Sequence, residues 1–363
     1  MRSHWRGIVV LGTLGIGCGG GGGKGGPGDA GPADGGATPD AANDEDAGPV
    51  HARPPAPGNM TAPDGSGVTS FVVQRWYLGG VDRDGAADPG AWQEYGYDID
   101  GLISTPDSDD LCAPVSGGSP DAAYPDGRDG IDNSFGRNVL PILVGIDASV
   151  EATVNGALAV GETAPLLSLV QLGDGASYRP MLARAYATVD LGAAPRWDGT
   201  DAFDVDPAGL VNPPDLESAR ASYPGYLVDD TWVSGTPADF EITLTIGGGH
   251  LFHLRLSAAV VTMRLDAAHE SADMGTVSGV VRTEDLVAEL RAYAGGIDPG
   301  FCSGPAIDGI VTQVERASDI LSDGTQDAGS PCDAISVGLG FDAVLALRSG
   351  VRTPPDPPID PCL

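Results

Sequence analysis

Phe240-Glu-Ile-Thr-Leu-Thr-Ile246 is followed by three glycines, and Leu251-Phe-His-Leu-Arg-Leu256 comes soon after them. In both segments apolar residues alternate with polar ones, which is the pattern of a half-buried β-strand. The glycine run between them is typical of a hairpin turn. The stretch therefore predicts two antiparallel strands, the first with its apolar side chains on one face: Phe240, Ile242, Leu244 and Ile246.

Further strands and a few helices are predicted on both sides of this hairpin. β-Branched and apolar residues predict strands at residues 68–78, 166–172, 181–191, 258–265, 276–281 and 335–347. Apolar periodicity and glycine stop signals predict helices at residues 139–160, 283–295 and 307–321. Because strands dominate and do not alternate with helices, the predicted fold class is α+β, a mostly antiparallel, sandwich-like β-sheet with a few inserted helices.

The N-terminus has the form of an export signal. Basic residues from Arg2 to Arg6 precede the apolar run from Ile8 to Gly17, and Cys18 follows. The run of about ten residues is too short to span a bilayer of ~30 Å as a helix. The segment Leu14-Gly15-Ile16-Gly17-Cys18 resembles the lipobox of bacterial lipoprotein (type II) signal peptides. An ordinary secretory signal is the alternative interpretation.

The resemblance implies three regions. Residues 1–17 would be removed as a signal peptide, and Cys18 would be lipidated and would anchor the protein to a lipid bilayer of the cell envelope. Because Gly19 rather than aspartate follows the cysteine, similarity to sorted lipoproteins implies the outer membrane if the cell has one. Residues 18–66, rich in Gly, Pro, Ala and Asp, are predicted to form a disordered tether, and residues 67–363 a β-rich exported domain.

The charge of the chain argues against one class of partner. The sequence has 51 acidic residues against 19 basic ones, a net charge of -32. Such a surplus repels phosphate backbones, so nucleic acid is not an expected partner.

The cysteines fit an oxidising compartment. Lipidation of Cys18 would leave an even number, Cys112, Cys302, Cys332 and Cys362, for two disulfides. Three connectivities are possible. We expect Cys302 to pair with Cys332, around a helical segment, and Cys112 with Cys362, which would clamp the C-terminus. A zinc site is the competing interpretation, but no short Cys-x-x-Cys spacing supports it.

The acidic loop region, residues 82–133, carries the candidate metal ligands. Its aspartates stand two or three residues apart beside glycines, so that tight turns can direct several oxygens at one point, as Ca²⁺ requires. The alternative is that Asp-Gly pairs merely form turns. The candidate calcium ligands are Asp82, Asp84, Asp98, Asp100, Asp126, Asp129 and Asp132.

No short catalytic motif identifies an enzyme. His250 and His253 are predicted on opposite strand faces, so a shared metal is not expected. With His269 and Glu270 they are interpreted as ordinary surface or strand histidines, and a catalytic or zinc cluster is the alternative. Aromatic residues near the acidic loops indicate either core packing or a carbohydrate-binding face: Trp76, Tyr77, Trp92, Tyr95 and Tyr97. We therefore expect a membrane-tethered, β-rich lipoprotein with a structural or binding role and no enzymatic activity. The identity of its ligand, a carbohydrate or a protein, does not follow from the sequence. The alternative is an exported hydrolase, for example a carboxylate-based enzyme acting on carbohydrate.

The lipobox resemblance makes a direct prediction for Cys18. The mature protein should partition with membranes and take up a labelled fatty acid, and Cys18→Ala should abolish the label because the acyl chains attach to that sulfur. The measurement is metabolic labelling followed by membrane fractionation. Label retained on the Cys18→Ala protein would refute the assignment.

Overall fold

Ten β-strands and five α-helices make up the part of the chain that a computed structural model describes, residues 50–246, 249–356 and 362. The predicted signal peptide and Cys18 lie outside these residues. The strands are β1 (Val68–Tyr77), β2 (Pro165–Val170), β3 (Tyr178–Ala187), β4 (Ala202–Val205), β5 (Ala221–Val228), β6 (Thr231–Val233), β7 (Ala238–Ile246), β8 (His250–Leu265), β9 (Ser271–Arg282) and β10 (Ala334–Val351). The helices are α1 (Pro120–Ala123), α2 (Leu140–Ile146), α3 (Val150–Val160), α4 (Thr283–Ile297) and α5 (Pro305–Glu315).

The predicted hairpin is confirmed. Strands β7 and β8 are antiparallel, with Ile246 opposite His250 and Thr243 opposite His253. The alternate residues of β7 from Phe240 to Ile246 are buried, and Glu241 is exposed. The sixteen-residue strand β8 continues beyond the hairpin, where β6 pairs with it along the same edge that β7 occupies.

The prediction of a mostly antiparallel β fold is confirmed, but the sandwich-like arrangement is wrong. Strand β1 pairs with β2 on one side and with β10 on the other, so the sheet closes in the order β1-β2-β3-β5-β6-β8-β9-β10. Every neighbouring pair in this ring is antiparallel, and only the added strand β4 runs parallel to β10. Closure leaves the eight ring strands without a free edge, and the alternating pattern of a strand is the same in a sandwich and in a closed sheet.

The helix predicted at residues 139–160 is two helices. Asp147 has an extended backbone after α2, and its carboxylate accepts hydrogen bonds from the amide (2.9 Å) and hydroxyl (2.6 Å) of Ser149. Helix α3 then ends at Gly161, which has the left-handed conformation expected of a helix stop. No single helix of the described residues is long and apolar enough to cross a membrane. The segments Phe135–Ile146 and Val150–Val160 have that length and composition only when they are taken together, and the pair is bent by 81°.

Strand β10 has two different faces. Ile335, Val337, Leu339 and Phe341 are buried in the main hydrophobic core, while the residues between them are small or polar. Gly338 is one of these, and a Cβ atom there would lie 2.0 Å from the carbonyl oxygen of Tyr95. The small face therefore lets the acidic loop region approach the strand backbone.

The two disulfides expected from the cysteine count are present, but the predicted pairing is wrong. Cys112 is bonded to Cys332 and Cys302 to Cys362, with Cα–Cα distances of 5.1 and 5.0 Å. Backbone hydrogen bonds from Ala113 to Ser330 (2.8 Å) and from Cys332 to Ala113 (2.9 Å) hold the first pair of segments side by side. Sequence proximity is a weak guide to pairing because the entropic cost of closing a loop grows only slowly with its length.

Residues 50–66, assigned to the tether from composition, contact the domain. The amide of Ala52 donates to Asp129 O (2.8 Å), and the Tyr178 hydroxyl donates to Asp64 Oδ1 (2.6 Å). Thr61 O accepts from the amide of Arg179 at 2.8 Å. The folded unit therefore begins before residue 67, because turn and backbone hydrogen bonds hold this stretch in place without large apolar side chains.

Two glycine substitutions should have opposite effects on stability. Gly338→Ala should lower the free energy of unfolding by about 1 to 3 kcal/mol, because the new methyl group would overlap the Tyr95 carbonyl. Gly309→Ala should raise it by about 0.5 to 1 kcal/mol, because Gly309 is exposed in α5 and a Cβ there would meet nothing within 4 Å. Chemical denaturation of both variants measures the difference. Equal stability of Gly338→Ala and the parent would contradict the close docking of the loop on β10.

Candidate metal centre

The acidic loop region lies on strands β9 and β10, and Asn133 fastens it to β10. Its Nδ2 donates to the carbonyl oxygens of Trp92 (3.0 Å), Tyr95 (3.1 Å) and Gly338 (3.0 Å). Its Oδ1 accepts from the amides of Gly136 (2.9 Å) and Gly338 (3.0 Å). The side chain is almost fully buried, and these bonds satisfy a group that would be costly to bury unpaired. One amide thus joins two loop segments to the backbone of β10.

Three carboxylates converge in this loop region. One oxygen each from Asp98, Asp100 and Asp132 lies within 4.8 Å of the other two. Asp98 and Asp132 are buried, and Asp100 is half-buried. Among the described residues, no other set of three His, Cys, Asp or Glu side chains comes this close.

Local turns orient these carboxylates. The amide of Gly101 donates to Asp98 Oδ1 at 2.6 Å, and the left-handed conformation of this glycine (φ 83°) closes the turn. Asp132 reaches across from the other loop segment, where its Oδ2 accepts from the amide of Ile99 at 2.6 Å. The closely spaced aspartates of the sequence thus share a site because one loop binds the backbone of the other.

Two further aspartates belong to the same electrostatic environment. Asp126 Oδ2 accepts from the amide of Ser104 at 2.5 Å. Asp319, a buried residue, accepts from the amide (2.9 Å) and hydroxyl (2.5 Å) of Ser336 on β10. Gln326 connects Asp319 to Asp100. Its side-chain amide nitrogen, Nε2, donates to Asp100 Oδ2 at 2.8 Å and to the backbone carbonyl oxygen of Asp319 at 3.0 Å.

Burial and mutual repulsion make these carboxylates weak acids. Burial raises the pKa of Asp126 to about 8 despite the hydrogen bond from Ser104, and the charges of Asp100 and Asp319 add to the rise. Burial likewise raises the pKa of Asp319 to about 7, against the hydrogen bonds from Ser336. The pKa of Asp132 lies well above its ordinary value, mainly through burial and then through Asp100 and Asp126. At neutral pH the cluster therefore favours bound protons or a bound cation.

Arg137 is a cation close enough to act on this cluster. Burial lowers the pKa of its guanidinium, and the charges of Asp126 and Asp319 oppose that effect. It forms no ion pair with a described carboxylate, and its guanidinium donates to the carbonyl oxygens of Pro125 and Asp121, both at 2.9 Å. One arginine cannot balance five aspartates, which leaves the cluster with an excess of negative charge when it is ionised.

His51 contacts the cluster from the N-terminal side of the domain. Its Nδ1 contacts Asp98 Oδ2, and the carbonyl of the next residue, Ala52, accepts from the amide of Asp98 at 2.8 Å. The segment before β1 thus forms one wall of the site.

The structure brings together some of the predicted ligands and not others. Asp98, Asp100 and Asp132 converge, and Asp126 lies near enough to interact with them. Asp82 closes its own turn by accepting from the amide of Ala86 at 2.8 Å. The remaining predicted ligands have exposed side chains outside the converging group: Asp84 and Asp129.

Sequence reasoning missed Asp319, Gln326 and His51. The first two lie between α5 and β10, about 190 residues beyond the acidic loops, and His51 lies in the segment assigned to the tether. The one available signal was Asp319 itself, an acidic residue at the end of an apolar helical pattern. Only the tertiary fold brings it to Asp126.

The other described histidines belong to no cluster of three metal-ligating side chains. His253 Nδ1 lies 3.1 Å from Thr243 Oγ1 and 3.4 Å from Glu241 Oε1. The Thr243 hydroxyl and the Glu241 carboxylate therefore both approach Nδ1. A proton relay through a histidine needs one partner at each of the two ring nitrogens. His269 Nδ1 lies 3.0 Å from the carbonyl oxygen of Gly173, and its Nε2 lies 3.4 Å from Asp230 Oδ1.

The aromatic residues near the acidic loops mostly pack inside the protein. Trp76, Tyr77 and Tyr95 are buried, and the last two stack with ring centroids 5.8 Å apart. Arg83 lies over both tyrosine rings, at 5.5 and 5.2 Å from their centroids. Core packing accounts for these three rings, which present no surface to a sugar.

Comparisons with protein-family models, with curated proteins and with solved structures each return no match for this chain.

The raised carboxyl pKa values predict an unusual pH dependence. With a chelator present, the free energy of unfolding should fall as the pH rises from 5 to 8, because Asp126 and Asp319 hold protons in the folded protein that the unfolded chain, with ordinary carboxyl pKa values, has already released. Chemical denaturation at several pH values measures this slope.

Ordinary histidines also titrate in this range, so a variant must isolate the carboxylates. Asp319→Asn retains acceptor and donor groups for Ser336 and should flatten the slope. Asp84→Asn, at an exposed residue, should leave it unchanged. The same slope in both variants would contradict the role given to Asp319.

Proposed function

We propose that this chain is an exported, lipid-anchored protein with a structural or binding role, and that a calcium ion stabilises its acidic loop region. The lipobox resemblance supports the anchor, and the two disulfides of the described residues are typical of exported proteins. A closed sheet with a packed core is a rigid body well suited to standing at a cell surface.

The convergence of Asp98, Asp100 and Asp132 is the observation that carries the calcium proposal. Calcium takes six to eight oxygen ligands at 2.3 to 2.6 Å, from carboxylates, carbonyls and water. Small movements of three carboxylates whose oxygens already lie within 4.8 Å of one another would bring them to such distances. A divalent cation would also remove the repulsion that keeps neighbouring carboxyl groups protonated.

The hydroxyl of Ser104 supports the same proposal. Ser104 is 6% exposed, and its Oγ is buried with no hydrogen-bond partner among the described residues, although its amide binds Asp126. A buried polar atom without a partner costs on the order of 1 to 3 kcal/mol. An ion or an ion-bound water beside Asp126 would give this oxygen a partner.

An exported hydrolase is the second candidate. The pKa of about 8 at Asp126 is the property that favours it, because a general acid must hold its proton at working pH. The carboxylates of this cluster, however, accept hydrogen bonds from backbone amides and do not line the three clefts that are best formed on the described surface. Enclosed oxygen ligands favour a structural ion over a substrate site.

Calcium should stabilise the protein through these carboxylates. At one hundred times the dissociation constant of the ion, the free energy of unfolding should rise by about 2.7 kcal/mol. Thermal melting in chelator, in calcium and in magnesium at equal ionic strength measures the effect. Asp98→Asn and Asp132→Asn should each reduce the calcium-dependent rise.

Asp129→Asn is the matched control. Asp129 lies in the same loop region and has an exposed side chain, and asparagine suits its left-handed backbone (φ 56°). This variant should keep the full calcium effect. Identical melting curves in chelator, calcium and magnesium would refute the calcium proposal and leave a cluster neutralised by protons.

A further inference from the structure

A groove of about 680 Å³ runs along the outer surface between α2 and α5. Two of its lining residues are arginines, Arg137 and Arg316, and most of the others are apolar. It shares no lining residue with the carboxylate cluster. Its volume is within the usual range for small-molecule sites.

The two ends of this groove differ in character. The hydroxyl of Ser134 donates to the carbonyl of Ala317 at 2.6 Å, which places the start of the helical segment that leads into α2 beside the end of α5. Arg137 comes shortly after Ser134, and Arg316 comes directly before Ala317. Both arginines therefore lie at this end of the groove. At the other end the lining residues Ile146, Phe301 and Ile310 all pack against one buried apolar cluster beneath the groove.

The apolar end is unusually exposed for this protein. Helix α2 reads Leu140-Pro-Ile-Leu-Val-Gly-Ile146 and has no charged residue, yet only Leu140 and Leu143 are buried. Gly145 lines the groove, and a Cβ there would meet nothing within 4 Å. A side chain at residue 145 would therefore clash with no neighbouring atom. Because glycine has no side chain, the groove is wider at this position.

The side chains that line the groove carry positive charge in an acidic chain, and three aspartates outside the lining, Asp121, Asp126 and Asp319, offset part of the charge of Arg137. Among its lining residues there are two arginines and no aspartate or glutamate, in a protein with 51 acidic residues and 19 basic ones. Neither arginine forms an ion pair with a described carboxylate. Arg137 is held by the carbonyls of Pro125 and Asp121, which use two of its five N–H groups.

We propose that this groove binds a single-chain carboxylate amphiphile, a free fatty acid. Its carboxylate would meet Arg137 and Arg316, where guanidinium groups offer charge-assisted hydrogen bonds. Its acyl chain would lie along α2, over Ile142 and Ile146, toward Phe301 and Ile310. From Arg137 to Ile146 the helical segment extends roughly 13 Å, which suits a chain of medium length. The site requires neither calcium nor lipidation of Cys18.

Titration calorimetry with dodecanoate tests the proposal. The full chain carrying Cys18→Ala is used, so that no detergent competes, and a chelator is present, so that the result does not depend on the ion. We expect saturable binding at one site, at least roughly tenfold tighter than that of dodecyltrimethylammonium, which has the same chain length and the opposite charge.

Two arginine variants locate the site. Arg316→Gln should weaken dodecanoate binding by roughly fivefold or more, and the exposed position of Arg316 protects the fold. Arg282→Gln, which removes an exposed arginine paired with Glu284 outside the groove, should change nothing. Ile142→Asp should abolish binding by placing a negative charge where the chain lies. Absence of saturable binding, equal binding of the cationic amphiphile, or equal loss in both arginine variants would overturn the proposal.

Discussion

The two-faced strand β10 is the constraint on which the rest of the structure depends. Its apolar residues from Ile335 to Phe341 point into the core, and its pairing with β1 and β9 completes the closed sheet. Ser336, Gly338 and Gly340 on its other face leave room for the loops that carry the aspartates. A Cβ at Gly340 would lie 2.7 Å from the ring of Tyr95, so a larger residue at either glycine would separate those loops from the sheet. Closure and the acidic cluster therefore depend on the same strand.

When the acidic loops dock on β10, they bury carboxylates close to one another, and the charged forms of these carboxylates become unfavourable. Aspartates on exposed turns do not have this cost. On a solvated turn, an aspartate keeps its charge at little cost because water surrounds the carboxylate. Beneath the loops, Asp132 and Asp319 lose water and are repelled by their neighbours. Backbone amides and the hydroxyl of Ser336 offset part of this cost, and protons or a cation must supply the remainder. Burial, and not the number of aspartates, is what gives the cluster its chemical character.

Local features could be predicted from the sequence because local physics determines them. Alternation located β7 and β8, and Gly161 ended a helix where a left-handed residue was needed. Closure was not predictable, because the pairing of β1 with β10 joins segments about 270 residues apart and leaves no local pattern. The prediction of the cysteine pairing was wrong for the same reason, because each bond joins segments that are distant in sequence. At the candidate site, short spacing indicated that Asp98 and Asp100 lie close together, whereas Asp132, from another loop segment, and Asp319 could be placed beside them only from the tertiary fold.

The order of the cysteines along the chain has a consequence for the response of the protein to proteolytic cleavage. The two bonds cross, since Cys302 lies inside the loop closed by Cys112 and Cys332, and its partner Cys362 lies outside it. Any single cut between residues 112 and 362 is therefore spanned by at least one disulfide, and the two pieces stay covalently joined. A protease that nicks the surface once in this range cannot shed a fragment. Only a cut ahead of Cys112 can release the disulfide-bonded part of the chain from the residues that precede it.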